Sequence, residues 1–275
     1  MHPDVSQAEP LDIEIVSVEH WPEYIIGFPA HVAITVRGRA GVTLGQLAFA
    51  DLAGLNEAIG LEAVDTTSGA AFKYVPRPMV DRSMGRSPRR LEAGEQRRML
   101  TDVSPLLLAV PHEGTFSLRF SFVSPQLTAS AAPVTVRLRR STPVEDALRQ
   151  RVAPDRPTFP NWASWATACP ADTIPDEAML PSRHPLLFDL LLRQLYCGPT
   201  PLRTFDPRRL DVLTDPYAPE RDALKAELYY LRGERTQYER IRDTVLKTTP
   251  GMAWWFRLID TAGGAYVKSF SMRPQ

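Results

Sequence analysis

The residue types best suited to nucleophilic chemistry are Cys169 and His184, because a thiol becomes a useful nucleophile when an imidazole beside it takes its proton. They stand fifteen residues apart, in WATACPADT and PSRHPLL. Neither flank carries a cysteine-protease motif, so a site built on them needs the fold to bring them together. Asp172, Asp176 and Glu177 lie between them, where acids also suit solvated turns. The five histidines, His2, His20, His31, His112 and His184, include no pair at i, i+4, so a zinc site would need long-range assembly. The chain contains no G-x-G-x-x-G, no G-x-x-x-x-G-K-[ST], no H-E-x-x-H and no G-x-S-x-G. No catalytic residue is assigned by motif, and neither a metal nor a cofactor is implied.

A second chemistry-bearing stretch is DRSMGRSPRRLEAGEQRRML, residues 81–100, with six arginines. Phosphate binding is one use for such a stretch. Against it, the 32 basic and 32 acidic residues cancel, and only Met84 and Met99 lie among the arginines, with no aromatic to stack on a base. Nucleic acid is therefore not the expected partner. Ser83, Gly85, Ser87 and Pro88 place Arg82 to Arg90 in a loop, whereas Glu95 to Leu100 begin a strand with Arg97 and Arg98 beside it. The segment divides, leaving Arg86, Arg89 and Arg90 as a set that faces a partner protein or a protease. Only Lys73, Lys225, Lys247 and Lys268 are lysines; that bias is similar to proteins of GC-rich bacterial genomes and gives a bland origin for arginine clusters.

The elements that must position these residues fall into two kinds. Period-two alternation marks strands in PAHVAITVRG, TFSLRFSF and PVTVRLRR, with Val32, Ile34 and Val36, then Phe116, Leu118, Phe120 and Phe122, then Val134, Val136 and Leu138 on inward faces. LDIEIVSV shifts its apolar parity between Ile15 and Val16, as a bulge or a sheet-switching strand does. IGLEAVDT and AAFKYV complete about seven short strands, which favours an antiparallel sandwich. With its glycine turn in LEAGEQRRML, PHEGTFSLRFSF and final PVTVRL, the stretch resembles bacterial immunoglobulin-like accessory domains. That resemblance implies a module that binds or spaces other modules.

Residues 141–183 form a proline-rich bridge whose Phe159, Trp162 and Trp165 are expected to pack at the junction of the two halves; a peptide groove is the alternative. Helices follow. HPLLFDLLLRQLYC is leucine-rich on nearly every side, and Asp206-Pro207 and Asp215-Pro216 mark helix starts. APERDALKAELYYLRGERTQYERIRDTVLKTTPG reads as a helical hairpin broken at Gly233 and stopped at Pro250. Ala226, Tyr229, Gly233 and Pro250 are similar in spacing to a tetratricopeptide repeat, which implies peptide recognition; no second copy follows. In MAWWFRLIDTAGG, Trp254, Trp255 and Phe256 are adjacent, so at most two can face one core. Trp254 and Trp255 are accordingly candidate partner-binding residues, unless the AYVKSF segment covers them.

The 275-residue length fits two domains. The expected fold is α+β with segregated domains: residues 1–9 disordered, an antiparallel immunoglobulin-like sandwich over 10–140, the bridge over 141–183 and an α-helical domain over 184–275. The opening MHPDVSQAEPLD lacks the basic and apolar regions of a secretory signal, and two cysteines make no disulfide framework; both point to the cytoplasm. The expected function is a non-enzymatic protein-interaction module: an adaptor, regulator or accessory subunit binding another protein. The alternatives are a protease inhibitor or a protease substrate cut in the Arg82–Arg98 loop, and an enzyme with an inter-domain site using Cys169 and His184.

Overall fold

The computed structural model describes residues 13–28, 30–39, 42–43, 59–74, 90–103, 110, 112–122, 130–152, 180, 184, 187–197 and 204–262. The fold is a mixture of sheet and helix. Alternating β-branched and aromatic residues build strands β1 (Ile13–His20), β2 (Glu23–Ile25), β3 (His31–Gly38), β4 (Val42–Thr43), β5 (Ile59–Asp65), β6 (Ala71–Tyr74), β7 (Arg90–Leu91), β8 (Gln96–Asp102), β9 (Gly114–Phe122) and β10 (Val134–Arg139). One sheet has the order β1-β3-β8, a second β2-β10-β9-β5-β6, and β4 pairs with β7 alone.

Among the described residues every pairing is antiparallel except β2 with β10, which run parallel through Glu23–Arg137, Tyr24–Leu138 and Ile25–Arg139. The expectation of a wholly antiparallel arrangement is corrected here, and the cause is local. The chain leaves β1 at Trp21-Pro22, where Pro22 has no N–H to give a ladder, and its carbonyl instead accepts from Arg137 N at 2.9 Å. The next three residues then run alongside the last strand. The parity shift in β1 is a bulge between Ile15 and Ser17, and it leaves Val16 exposed.

Strand β3 is buried from His31 through Val36, on both faces. Alternation alone predicts a half-buried strand with the residues between Val32, Ile34 and Val36 facing solvent; of His31, Ala33, Thr35 and Arg37, only Arg37 keeps partial exposure. Helical residues cover the second face. The Phe188 ring lies edge-on to His31 at 5.8 Å, and the Tyr217 hydroxyl donates to the His31 carbonyl at 2.7 Å. Val32, Ile34, Phe116, Phe120, Leu191, Leu224 and Trp254 belong to one continuous apolar core that runs from sheet to helix.

Among the described residues the helices are α1 (Pro143–Val152), α2 (Leu187–Cys197), α3 (Ala218–Arg232), α4 (Arg235–Thr248) and α5 (Ala253–Ala262), with 3₁₀ turns at Pro207–Val212 and Pro250–Met252. α1 opens on a capping box: Glu145 N donates to Thr142 Oγ1 at 3.3 Å and Thr142 N to Glu145 Oε2 at 2.7 Å. Asp206 caps the first 3₁₀ turn by accepting from Arg208 N at 3.0 Å. Asp215 is not the cap of α3. That helix starts two residues past Pro216, with Tyr217 at its N-cap and Pro219 supplying the proline of its first turn. The α3–α4 hairpin turns at Gly233, whose φ of +80° is a left-handed helix end that a side chain would strain.

Candidate functional site

The structure joins sheet and helices through a buried polar junction centred on Arg98 of β8. Its Nε donates to Glu220 Oε1 at 2.7 Å, Nη1 to Glu19 Oε1 at 2.6 Å, and Nη2 to the Pro216 carbonyl at 2.6 Å and Glu220 Oε2 at 3.3 Å. Arg98 and Glu220 are almost completely buried, whereas Glu19 is partly exposed. Burial works against the guanidinium's charge, but Glu220 and Glu19 outweigh it and raise the Arg98 pKa above its ordinary value. For Glu220 burial wins, and its carboxyl is pushed up from the usual carboxylate range although Arg98 pulls it back. The planar fork of arginine suits such a site because it can serve a carboxylate and a carbonyl together.

The same residue closes the outer edge of β8. The Trp254 indole Nε1 donates to the Arg98 carbonyl at 2.8 Å, and the Gly251 backbone sits so close that a Cβ there would stand 2.9 Å from Arg98 N. A strand edge that would otherwise offer a template is thus covered by the 3₁₀ turn and α5. Nearby, Tyr24 and Tyr217 both donate to the His31 carbonyl at 2.7 Å, so β2 and the start of α3 share one acceptor. Burial pushes the Tyr24 hydroxyl well above its usual range, keeping it a donor.

His184 lies in a second buried cluster. Its Nε2 is 2.6 Å from Glu145 Oε1. Glu145 also accepts from Arg139 Nη1 at 2.8 Å and Nη2 at 2.6 Å, and Arg139 Nε donates to Glu23 Oε1 at 2.7 Å. Burial works to raise the Glu145 pKa, yet Arg139, the Thr142 amide and His184 together hold it far below the carboxylate range. Burial dominates at His184 and lowers its pKa from 6.5, against the opposing pull of Glu145. A histidine oriented by a carboxylate is half of a hydrolytic triad. The thiol that would complete it, Cys169, lies outside the described residues, as do Asp172, Asp176 and Glu177.

The other predicted residues divide. Trp254, Trp255 and Phe256 are all buried, at a helix start that also meets β8 and the α3–α4 hairpin; the AYVKSF segment expected to cover them lies outside the described residues. Arg86, Arg89, Phe159, Trp162 and Trp165 lie outside the described residues. Arg90 heads β7, paired with Thr43 of β4. Arg97 and Arg98 are buried within β8, so neither belongs to an exposed loop.

Sequence reading missed Arg98, Glu220 and Glu19 as a unit. The available signal was two successive arginines in a strand, which must point to opposite faces. A third grouping has triad residue types in an unproductive order. Asp65 accepts from Ser68 Oγ at 2.6 Å and lies 3.7 Å from His112 Nε2, which puts the acid, and not the imidazole, in the middle. Asp65 instead holds the β5–β6 turn by accepting from Thr67 N at 2.8 Å. Among the described residues no group of three histidine, cysteine or acidic side chains is placed to hold a metal ion. No described helix is long and apolar enough to cross a membrane. Val16, Val144 and Val212 are the large apolar side chains exposed among the described residues, and they lie on separate elements.

No family model matches the chain, and no curated protein matches it. Among solved structures it is similar to a β-glucosidase from Listeria innocua in complex with glucose, at 15% identity and a TM-score of 0.27, over 46% of this chain and 16% of that one. The chain therefore spans less than a fifth of the glucosidase's length, and a similarity this partial carries no inference to activity.

Proposed function

We propose that this protein is a non-enzymatic interaction module: an immunoglobulin-like sandwich over residues 10–140 fixed to a helical part over residues 184–275, serving as adaptor, regulator or accessory subunit for another protein. Strand order supports the sandwich. Lettered in chain order, β1, β3 and β8 stand as A, B and E of one sheet, while β10, β9, β5 and β6 stand as G, F, C and C′ of the other. The Arg98–Glu220 junction is the observation that carries the functional reading. It spends a buried ion pair on holding sheet and helices in one relative orientation, and fixed geometry between surfaces is what an adaptor requires.

Affinity capture from native lysate, using the wild-type chain and an R86A/R89A/R90A variant side by side, tests it. A stoichiometric protein that the wild-type retains and the variant loses is the expected outcome. Capture of nothing by the wild-type across several salt and detergent conditions overturns the reading.

Cleavage or protease binding at the arginine segment is a second reading, favoured by the β4–β7 pairing. β7 begins at Arg90, so the segment before it enters the fold through a two-stranded ribbon. Brief trypsin digestion separates the two. First cuts between Arg82 and Arg90, with Arg97 and Arg98 spared, are expected of an accessible segment; early cutting elsewhere alone removes this reading.

A further inference from the structure

We propose that Glu23, Arg139, Glu145 and His184 form an acid-released latch that fastens the N-terminal end of α2 to the corner where β2 runs beside β10. The proposal stands apart from the interaction reading, since it concerns how the fold holds α2 and not what the surface binds.

The cluster draws one residue from each of four segments: Glu23 from β2, Arg139 from the end of β10, Glu145 from the first turn of α1, and His184 from the chain just ahead of α2. Glu145 is held rigidly as an acceptor, because two Arg139 nitrogens and the Thr142 amide already fix its carboxylate. At neutral pH the His184 tautomer that satisfies this arrangement carries its proton on Nε2 and donates it to Glu145. The His184 carbonyl in turn accepts from Leu187 N at 3.0 Å, so the residue that carries the ring is also tied to the first residue of α2. One residue further on, Phe188 stacks on Tyr217 at 4.9 Å and meets His31 at 5.8 Å. The latch therefore sits directly upstream of the aromatic contacts that bind α2 to the sheet.

Burial and Arg139 oppose protonation of the imidazole, whereas Glu145 and Glu23 favour it, and burial prevails. Arg137, 3.6 Å from Glu23, partly screens that carboxylate. A histidine of lowered pKa contributes stability that is present above its unfolded value of 6.5 and is lost as the pH falls below that value toward the folded one. Over that window the equilibrium constant for opening rises by up to about tenfold per pH unit, because the released, hydrated ring takes the proton more readily.

Hydrogen exchange of the full chain between pH 7.5 and 5.0 tests the latch, with α2 amides read as a ratio to those of α4 so that the intrinsic pH dependence of exchange cancels. In the wild-type, α2 protection is expected to fall relative to α4 by several-fold on acidification. His184→Gln keeps an amide donor near the Nε2 position and cannot titrate, so its ratio is expected to stay flat. An unchanged ratio in the wild-type, or the same fall in H184Q, overturns the proposal. Glu23→Gln gives an independent reading should H184Q fail to fold. It keeps the acceptor for Arg139 but removes a charge that favours the imidazolium, so the fall at pH 5.0 is expected to be larger than in the wild-type; an equal fall overturns the latch.

Discussion

Arg98 Nε and Glu220 Oε1 meet at 2.7 Å with both side chains buried, across 122 positions of chain. One end of this contact is a strand in the three-stranded sheet and the other is the first turn of α3. Removing a single partner leaves an uncompensated charge in the interior, at a cost of about 3–5 kcal/mol, whereas replacing both with apolar residues of similar size removes that penalty. R98M is therefore expected to lower stability by that amount, and R98M/E220M to recover most of it. Urea unfolding followed by tryptophan fluorescence and far-ultraviolet circular dichroism checks this. If the junction couples sheet to helices, the two probes coincide in the wild-type and separate in R98M.

Closure of the β8 edge makes a second prediction. A methyl group at residue 251 would meet the Arg98 backbone, which cannot swing aside as a flexible side chain can. Gly251→Ala is expected to push the 3₁₀ turn off the strand and cost about 1–3 kcal/mol, as overpacking does. Trp254→Phe removes the indole donor and leaves the Arg98 carbonyl unserved, again about 1–3 kcal/mol. Both are read from denaturant midpoints, and light scattering of G251A additionally reports whether the uncovered edge promotes association.

Glu145 titrates in a window separate from that of His184. Its pKa is held below the ordinary glutamate value of 4.5, so the stability it contributes is complete above that value and is lost as the pH falls below it. Acid unfolding of the wild-type is expected to steepen under pH 4.5. Glu145→Gln weakens the charge-assisted bonds from Arg139, lowers neutral-pH stability by about 2 kcal/mol and flattens that acid limb. Thermal melts between pH 3 and pH 7 distinguish the two proteins.

At the α3–α4 turn, Gly233 takes φ +80° with nothing near its missing Cβ, so only backbone strain opposes a side chain there. Gly233→Ala is expected to destabilise by about 1 kcal/mol. Asn, which tolerates the left-handed region better, should cost less. Paired thermal denaturation of the two variants measures the difference.

How much of this was readable before the fold was known depends on the range of the signal. Alternation in HVAITVRG and TFSLRFSF is local, and β3 and β9 lie where it puts them. The hairpin at Gly233 is local too, since a glycine between two apolar stripes needs no distant partner. Burial of the second face of β3 was not readable, because it depends on Phe188 and Tyr217, which arrive from far along the chain. What covers Trp254 and Trp255 was not readable for a related reason. Helical spacing limits how many adjacent aromatics face one surface, but a helix start enclosed on several sides buries all three. His184 was singled out for a thiol partner; the structure gives it the cap acid of α1, a residue whose T-x-x-E pattern was visible but carried no hint of histidine.

The parallel pairing of β2 with β10 also bears on synthesis. Glu23 to Ile25 are made early, yet their partner residues are not complete until Arg139 has been added, and the Tyr217 hydroxyl that shares the His31 carbonyl comes later still. During elongation β1 and β3 can pair as soon as both are made, but β2 must wait for β10. Long-range closure of that kind slows folding and lengthens exposure of sheet edges on the growing chain. A chain truncated before residue 137 is thus expected to leave β2 unpaired, which faster hydrogen exchange at Glu23 to Ile25 than in the full chain would report.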